Sequence, residues 1–442
     1  MRLTSALRLF GVMLTLPVAS VANAQLGVDS DLVVEDTNRG GHWGLDHHDL
    51  PDGSVSIVRV TGASRLAGRA VDTQYVRQLE VDGQQFESTA VGTATFLVRR
   101  DRGGRAIAVE RLRIDGHDTN LYSRRLPTGD LLMFGTARVD DVTQAAVARV
   151  DSFGRVRWSW RAPNRPPRCE PPPCAFSCMD SAVVDSGGVW VDAVFYRGAL
   201  DLPSHASVQG GSARNRVTVA LDPDTGTIRW ARGRTGTAPV LAGGELVNAV
   251  DRGGRIILRS HDPMTGATRR TTRFRLPAEL RGMVTGLHRQ GDGFLLTLHH
   301  QSVISSWVVG VARDGRVRFH RPIDAFAHVE TSGEVARFVE PLRTARHRAP
   351  GGGSALSATG LQITEVDSRG RETRRVTHGG HWDLGSFALT SDGSRLSGLR
   401  SDGSDSRLVL VPFDASTRPA ALPPGSPSDP RAASAAVPRT SF

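Results

Sequence analysis

The sequence predicts an all-β fold in which one four-stranded unit is repeated along the chain. Hydrophobic residues alternate with polar ones over short segments, and long runs with a helical period are missing. Glycine is abundant, at 48 of 442 residues. A strand–Asp–turn–strand pattern recurs about every 40–50 residues, which is typical of propeller blades. We therefore expect a seven-bladed β-propeller of four-stranded antiparallel blades over residues 25–422.

Each recurring hairpin contains a marker aspartate at its turn. Copies such as ARVDSFGRVRWSW and ALDPDTGTIRWAR join an apolar strand to a polar one through Asp and Gly, which favour turn conformations. The markers are Asp101, Asp151, Asp222, Asp262, Asp314, Asp367 and Asp414. Trp158, Trp230 and Phe319 each lie four residues after a turn glycine. We interpret them as residues that pack one blade on the next.

A second strand pair precedes each hairpin, so the unit has four strands. The expected units are 42–112, 117–161, 178–233, 238–276, 280–322, 326–377 and 380–422. The first unit carries an insertion between its strand pairs, and the fourth has the weakest pattern. The apolar segment DLVVED, residues 31–36, precedes the first unit. We expect it to add a strand to the last blade and so to close the ring.

Both ends of the chain are expected to lie outside the propeller. Residues 1–24 have the basic, apolar and small-residue regions of a signal peptide, with Ala22-Asn23-Ala24 as the cleavage pattern. Residues 423–442 are small, polar and rich in proline, which is typical of a disordered tail. We find no apolar run of the ~18 residues that a membrane span needs. The prediction is an exported protein that is periplasmic, on the cell surface or extracellular.

All 55 basic residues are arginine, and the formal net charge is +10. Many of these arginines lie on the expected outer strands, where charge discourages aggregation between sheet edges. Export argues against nucleic acid as a partner. A rim that binds a polyanion is the alternative use of this charge.

The three cysteines, Cys169, Cys174 and Cys178, lie in PPRCEPPPCAFSC between the second and third units. In an oxidising compartment we expect one local disulfide and one remaining thiol. The prolines before Cys174 stiffen the short ring, so Cys169–Cys178 is the easier pairing and Cys169–Cys174 stays open. A zinc site would need a fourth ligand from elsewhere.

The motif Gly-Gly-His-Trp occurs twice, at residues 40–43 and 379–382. We interpret each copy as the start of a blade, with Gly-Gly bending the chain and His-Trp beginning the inner strand. If the ring closes, both copies lie beside the closure, as packing residues or as an aromatic–histidine site for a sugar or peptide. The candidate ligand-binding residues are His42, Trp43, His381 and Trp382.

The only candidate metal ligands are four residues that follow the first Gly-Gly-His-Trp copy: Asp46, His47, His48 and Asp49. Adjacent histidines on a strand point to opposite faces, so one ion would bind both only in a loop. The sequence also lacks a G-x-S-x-G elbow and an H-E-x-x-H motif. We therefore predict no metal, no cofactor and no catalytic residues.

One repeat carries a resemblance to a known family. ALDPDTGTIRWARG, residues 220–233, resembles the tryptophan-docking repeat of pyrroloquinoline-quinone-type propellers. The matching residues are Ala220, Asp222, Thr225, Gly226 and Trp230. The longer run 183–233 resembles the repeats of bacterial secreted propeller proteins. The likeness is good over one blade and fades over the others, and Thr235 stands where the family has glycine. The family's quinoprotein enzymes carry adjacent cysteines and usually eight blades, and this chain has no Cys-Cys pair.

These observations predict an exported, monomeric binding scaffold without enzymatic activity. Its partner would be an unknown protein, a polysaccharide or a small ligand, held on a loop face or in the central channel. The alternative is a propeller enzyme, either a quinoprotein-like dehydrogenase or a carbohydrate-active enzyme.

Overall fold

A computed structural model describes most of the predicted repeat region. The described residues are 32–35, 44–61, 77–82, 84–88, 93–139, 142–165, 177–196, 198–210, 214–234, 236–280, 282–299, 305–324, 326–348, 354–383, 387–389, 395–402 and 405–413. They form β-strands and one short 3-10 helix, so the all-β prediction is confirmed. Within these ranges no helix is both long and apolar enough to cross a membrane.

The first eleven strands cover the first two expected units and the insertion. They are β1 (Leu32–Glu35), β2 (Gly44–Leu50), β3 (Gly53–Thr61), β4 (Arg77–Val81), β5 (Gln84–Ser88), β6 (Thr93–Asp101), β7 (Ala106–Ile114), β8 (His117–Arg125), β9 (Leu131–Val139), β10 (Val142–Val150) and β11 (Val156–Ala162). One antiparallel sheet runs in the order β11-β10-β9-β8-β7-β6-β3-β2. The pairs Arg113–Asp118 and Ile114–His117 join β7 to β8 at a hairpin, which is the boundary between the two units.

The next fifteen strands cover the third, fourth and fifth units. They are β12 (Asn164–Arg165), β13 (Ser177–Asp185), β14 (Gly188–Tyr196), β15 (Ala199–Leu200), β16 (Val208–Gln209), β17 (Arg214–Leu221), β18 (Ile228–Arg234), β19 (Val240–Ala242), β20 (Glu245–Arg252), β21 (Arg255–His261), β22 (Thr268–Arg275), then after the 3-10 helix Ala278–Leu280, β23 (Met283–Gln290), β24 (Gly293–His299), β25 (Ser305–Val311) and β26 (Val317–Asp324). Three separate four-stranded antiparallel sheets result: β13-β14-β17-β18, β19-β20-β21-β22 and β23-β24-β25-β26. The fourth unit, weakest in sequence, is a regular sheet. Short strands β12, β15 and β16 form a small additional sheet.

The last strands belong to one sheet that also contains β1, β4 and β5. They are β27 (His328–Ser332), β28 (Val335–Arg348), β29 (Ser354–Val366), β30 (Glu372–Asp383), β31 (Ala388–Leu389), β32 (Arg395–Asp402) and β33 (Asp405–Pro412). The sheet order is β27-β28-β29-β30-β32-β33-β1-β4-β5, with β31 paired to β32. Val33 and Val34 of β1 lie opposite Arg407 and Ser406 of β33. The expected addition of the 31–36 segment to the last unit is thereby confirmed.

The second Gly-Gly-His-Trp copy does not start a strand, and this expectation is wrong. Gly379 and Gly380 lie inside β30, which continues to Asp383. The φ of +113° at Gly380 bends the strand without ending it. As a result Trp382 pairs with Ala358 of β29 on one side and Arg400 of β32 on the other.

The marker aspartates close their turns as predicted. In the third unit, Asp222 Oδ1 accepts the backbone N–H groups of Asp224 at 3.0 Å and Thr225 at 3.1 Å. Its Oδ2 accepts from Arg229 at 2.8 Å. The Arg229 hydrogen bond, together with the turn amides, lowers the pKa of Asp222 to about 2. Corresponding side chain–backbone bonds form at Asp101, Asp151, Asp262, Asp314 and Asp367, whereas Asp414 lies outside the described residues.

Aromatic rings pack several units against the turn of the next unit. Trp158 of β11 lies on Gly226 of the third unit, and its Nε1 donates to the Pro223 carbonyl at 3.0 Å. A Cβ atom at Gly226 would lie only 2.6 Å from the Trp158 ring. Glycine is required there for this contact and for a φ of +72°.

The same arrangement recurs along the chain. Trp230 lies on Gly266 and donates to the Pro263 carbonyl at 3.0 Å, and Phe319 lies on Gly370. The predicted packing role of Trp158, Trp230 and Phe319 is confirmed. Buried apolar clusters lie between consecutive units, as between Val147 and Val191.

The first and last units are also in contact. Arg395 of β32 lies 3.1 Å from His47 Nε2 and 3.3 Å from the Asp49 carboxylate on β2. Asp82, at the turn of the inserted hairpin, accepts hydrogen bonds from Arg100 at 3.0 Å and from the Ala106 N–H at 2.6 Å. The inserted hairpin therefore joins the last sheet to the first marker turn.

Candidate functional site

The first strands of the units lie side by side and bring polar groups from distant parts of the chain together. Strand β8 lies beside β2 and β13, and β23 lies beside β19 and β27. These strands carry the candidate site, because their side chains face one another across the units.

A pocket of about 400 Å³ opens where β8, β9 and β10 meet β13. Its size is within the range of small-ligand sites. It is lined by Thr93, Asp118, Asn120, Tyr122, Gly135, Thr136, Arg138, Thr143, Cys178, Met179 and Asp180. Two carboxylates, an amide, hydroxyls and one aromatic ring thus face a single cavity.

Strand β8 is two-faced, which explains how it supplies this lining. Thr119, Leu121 and Ser123 are buried, while the intervening Asn120 and Tyr122 face the pocket. The guanidinium carbon of Arg59 lies 4.0 Å from the centre of the Tyr122 ring. The Phe134 ring stacks on it with centroids 5.9 Å apart. Tyr122 is therefore held in place although 45% of it is exposed.

Both pocket carboxylates are paired with arginine. Asp118 lies 2.7 Å from Arg111, and Asp180 lies 2.6 Å from Arg216. Charge-assisted pairs of this kind fix the direction of a carboxylate. A carboxylate has about four lone-pair sites, more than a single arginine hydrogen bond uses.

Arg216 also links the pocket wall to a buried acid. Its second nitrogen lies 2.5 Å from Asp192, which is 2% exposed and accepts a further bond from the Thr218 hydroxyl at 2.9 Å. Burial raises the pKa of Asp192 to about 6, in opposition to Arg216 and Thr218. Near neutral pH the pair is ionised, and it holds Arg216 in position for Asp180.

A second polar cluster lies on β23 and β27. The His328 imidazole lies 3.8 Å from the Glu330 carboxylate. Burial opposes ionisation of Glu330, but His328, Arg124 and His288 together bring its pKa below the usual range. Part of His288 stays accessible, yet burial lowers its pKa to about 4, with Glu330 opposing. Groups from the second, fifth and sixth units therefore share one electrostatic environment.

The four metal candidates form two pairs on opposite faces of β2. His47 lies 3.3 Å from Asp49 and 3.0 Å from the Ser56 hydroxyl. His48 and Asp46 instead meet at Ser123, 2.7 Å and 3.1 Å from its hydroxyl. Burial lowers the pKa of His48 to about 4, against the charge of Asp46, so the ring is neutral. Among the described residues no group of three or more such side chains is placed to hold a metal ion.

The Gly-Gly-His-Trp residues are described at the second copy alone. Trp382 is 1% exposed and packs beside Phe387 and Leu396, with Nε1 donating to the Gly379 carbonyl at 3.3 Å. Its indole offers no face to a ligand, which agrees with a packing role. His381 is partly exposed. His42 and Trp43 lie outside the described residues.

The cysteine prediction is untested. Cys178 lies on β13 and lines the pocket. Cys169 and Cys174 lie outside the described residues, as do residues 1–24 and 423–442. The disulfide, the signal peptide and the disordered tail stay predictions.

Sequence reasoning missed the pocket. The stretch DTNLY, residues 118–122, alternates pocket-facing and buried side chains, and this pattern was available in the sequence. Asp192 stands alone in the apolar run VWVDAVFY, where a lone acid predicts a buried partner. No local signal indicates that β8 and β13 are neighbours.

Comparisons with known proteins place the chain in no family. No protein-family description matches it, and no curated protein matches it. Solved structures with some likeness include BamB from Moraxella catarrhalis, with 13% identity, a TM-score of 0.35, and coverage of 72% of this chain and 93% of that chain. The periplasmic gluconolactonase of Pseudomonas aeruginosa has 15% identity, a TM-score of 0.41, and coverage of 85% and 90%. An oligogalacturonate lyase in complex with manganese has 10% identity, a TM-score of 0.42, and coverage of 84% and 96%. Likenesses this weak carry no argument about function.

Proposed function

We propose that the chain is an exported, monomeric, seven-bladed β-propeller that acts as a binding scaffold. Its pocket beside β8 takes a hydroxyl-rich ligand, one or two sugar units in size. The observation that carries this proposal is the pairing of an exposed, fixed Tyr122 with two carboxylates and an amide around one cavity of about 400 Å³. Sugars offer hydroxyl donors to carboxylates and apolar ring faces to an aromatic side chain.

Several contacts support a closed ring. In the third, fourth and sixth units, the turn that contains the marker aspartate is covered by an aromatic side chain from the unit before it. Arg395 of the last unit contacts His47 and Asp49 of the first. Strand β1 completes the last unit, which would otherwise present an open edge. In a ring of seven units, these contacts would give the first and the last unit a neighbour on both sides.

The test is titration calorimetry of the purified protein with a panel of neutral oligosaccharides. Tyr122→Ala should weaken binding by about tenfold or more, because an aromatic contact of this size is lost. Tyr196→Ala is the matched control, since Tyr196 is 42% exposed and does not line the pocket. Equal affinities for the wild type and Tyr122→Ala would contradict the assignment of this pocket.

A carbohydrate-active enzyme is the second candidate, because Asp118 and Asp180 line the same pocket. Glycoside hydrolases use two such carboxylates. Each of these carboxylates is occupied by an arginine at 2.7 or 2.6 Å, which favours binding over proton transfer. Chromatography of the recovered oligosaccharide separates the two functions: a scaffold returns it intact, and an enzyme returns shortened products.

A further inference from the structure

An arginine cluster lies on the sheet of the fourth unit, separate from the pocket lined by Tyr122. It lines a cleft of about 540 Å³ formed by β20, β21 and β22. The cleft is lined by Arg252, Gly253, Gly254, Arg255, Ile257, Arg259, Arg273, Arg275 and Leu276. We call its five arginines the arginine cleft. All except the half-buried Arg259 are exposed.

The arginines of the cleft differ from several arginines of the neighbouring units, which form ion pairs with acidic side chains. Arg321 of the fifth unit lies 2.9 Å from Glu340 of the sixth, and Arg337 lies 2.7 Å from Glu365 within the sixth unit. None of the five cleft arginines has an ion pair or side-chain hydrogen bond in the part of the chain that the structure describes. The nearby carboxylate of Asp251 accepts the Gly254 N–H at 3.0 Å and serves its turn.

The register places like charges directly opposite one another. Arg255 lies opposite Arg252 on one side and opposite Arg275 on the other. Arg273 follows on the same face, opposite Ile257. Cross-strand neighbours on one face are about 4.5–5.5 Å apart at Cβ, and like charges there destabilise a sheet. An anion that bridges the three strands would relieve this repulsion.

The lining also restricts the kind of anion. Guanidinium groups bind carboxylates and sulfates through paired hydrogen bonds. Single-stranded nucleic acid is held by aromatic platforms as well as by charge, and none of the described residues that line this cleft is aromatic. Five charges on three strands suit a chain of repeated single charges better than one small ion.

From these observations we infer that the arginine cleft binds an acidic polysaccharide, one that carries carboxylate or sulfate groups along its chain. The inference concerns a different sheet from the Tyr122 pocket and does not depend on the proposed function of that pocket.

The experiment measures binding of fluorescently labelled alginate, a polyuronate, by anisotropy at low salt, with neutral dextran and a single-stranded DNA oligonucleotide as competitors. Arg255→Gln/Arg275→Gln should weaken alginate binding by about tenfold or more, because two charge-assisted contacts are lost. Arg155→Gln/Arg289→Gln removes the same charge from exposed positions outside the cleft. This control should bind alginate within about twofold of the wild type, since its contribution is long-range and screened.

The cleft variant should also unfold at a temperature no lower than that of the wild type, since a repulsive pair is removed. If it does not fold, Arg252→Gln/Arg273→Gln replaces it in the same assay. Absence of alginate binding, or equal weakening by the control variant, would overturn the inference. If the DNA oligonucleotide competes better than unlabelled alginate, the ligand of the cleft is a nucleic acid and the inference of an acidic polysaccharide is wrong.

Discussion

Substitution of Gly226 by alanine tests whether an aromatic ring from one unit packs on the turn of the next. The φ of +72° at Gly226 costs a residue with a Cβ about 1–2 kcal/mol. The new Cβ would also lie 2.6 Å from the Trp158 ring, and overpacking of this kind costs about 1–3 kcal/mol. We therefore expect Gly226→Ala to lower the free energy of unfolding by about 2–5 kcal/mol.

Gly104→Ala is the matched control for the backbone contribution. Gly104 occupies the equivalent turn of the first unit with a φ of +83°, and a Cβ there would meet no atom within 4 Å. It should cost about 1–2 kcal/mol. The entropy that alanine removes from the unfolded chain is common to both variants. The difference between them therefore measures the contact with Trp158.

The assay is urea unfolding followed by circular dichroism. In a double-mutant cycle, Trp158→Ala removes the ring, so Gly226→Ala should cost about 1–3 kcal/mol less in that background. Equal costs for Gly226→Ala and Gly104→Ala, with no coupling to Trp158, would refute the packing of the second unit on the third.

Three further predictions concern buried polar groups and the cysteines. Folding lowers the pKa of His48 from 6.5 to about 4, so between these pH values the unfolded state takes up a proton that the folded state does not. The free energy of unfolding should therefore decrease as the pH is lowered from 6.5 to about 4. The loss attributable to His48 is about 3 kcal/mol, and His48→Gln should remove it from urea-unfolding profiles measured between pH 4 and 7. Asp192→Asn leaves Arg216 without its buried partner and should lower the free energy of unfolding by about 3–5 kcal/mol at pH 7. Asp224→Asn is the control, because Asp224 is 77% exposed in its pair with Arg149; it should cost less than about 1 kcal/mol in the same assay. Thiol titration of unfolded, unreduced protein should find one thiol per chain; three would reject the disulfide.

Local chemistry made the repeat predictable. Asp222 and Gly226 specify a turn from residues within the turn itself, and Trp158 and Trp230 recur at a fixed distance from it. The role of the 31–36 segment was predictable because an apolar segment before the first unit needs a partner strand. These features depend on neighbours in sequence or on the count of units.

The features that the sequence did not predict depend on contacts between strands. Gly379-Gly380 is a break by local criteria, but pairing with strands on both sides keeps β30 continuous. The Tyr122 pocket depends on two units coming together, which no local pattern encodes. Alternation on β21 and β22 places Arg255 and Arg275 on one face. Only the arrangement of neighbouring strands determines that no acidic side chain of the described residues pairs with them.

Strand β1 pairs with the last unit, and we propose that this pairing closes the ring. Val34 of β1 lies opposite Ser406 of β33, and Ser406 lies opposite Ser401 of β32. Paired residues are within the ~4.4–6.8 Å that a disulfide spans between Cα atoms, whereas the second strand over is about 10 Å away. Oxidation of Val34→Cys/Ser406→Cys, followed by peptide mapping, should yield an intramolecular 34–406 bond, and Val34→Cys/Ser401→Cys should not form the corresponding bond. A folded Val34→Cys/Ser406→Cys protein without this bond, or with the bond between two molecules, would contradict the closure.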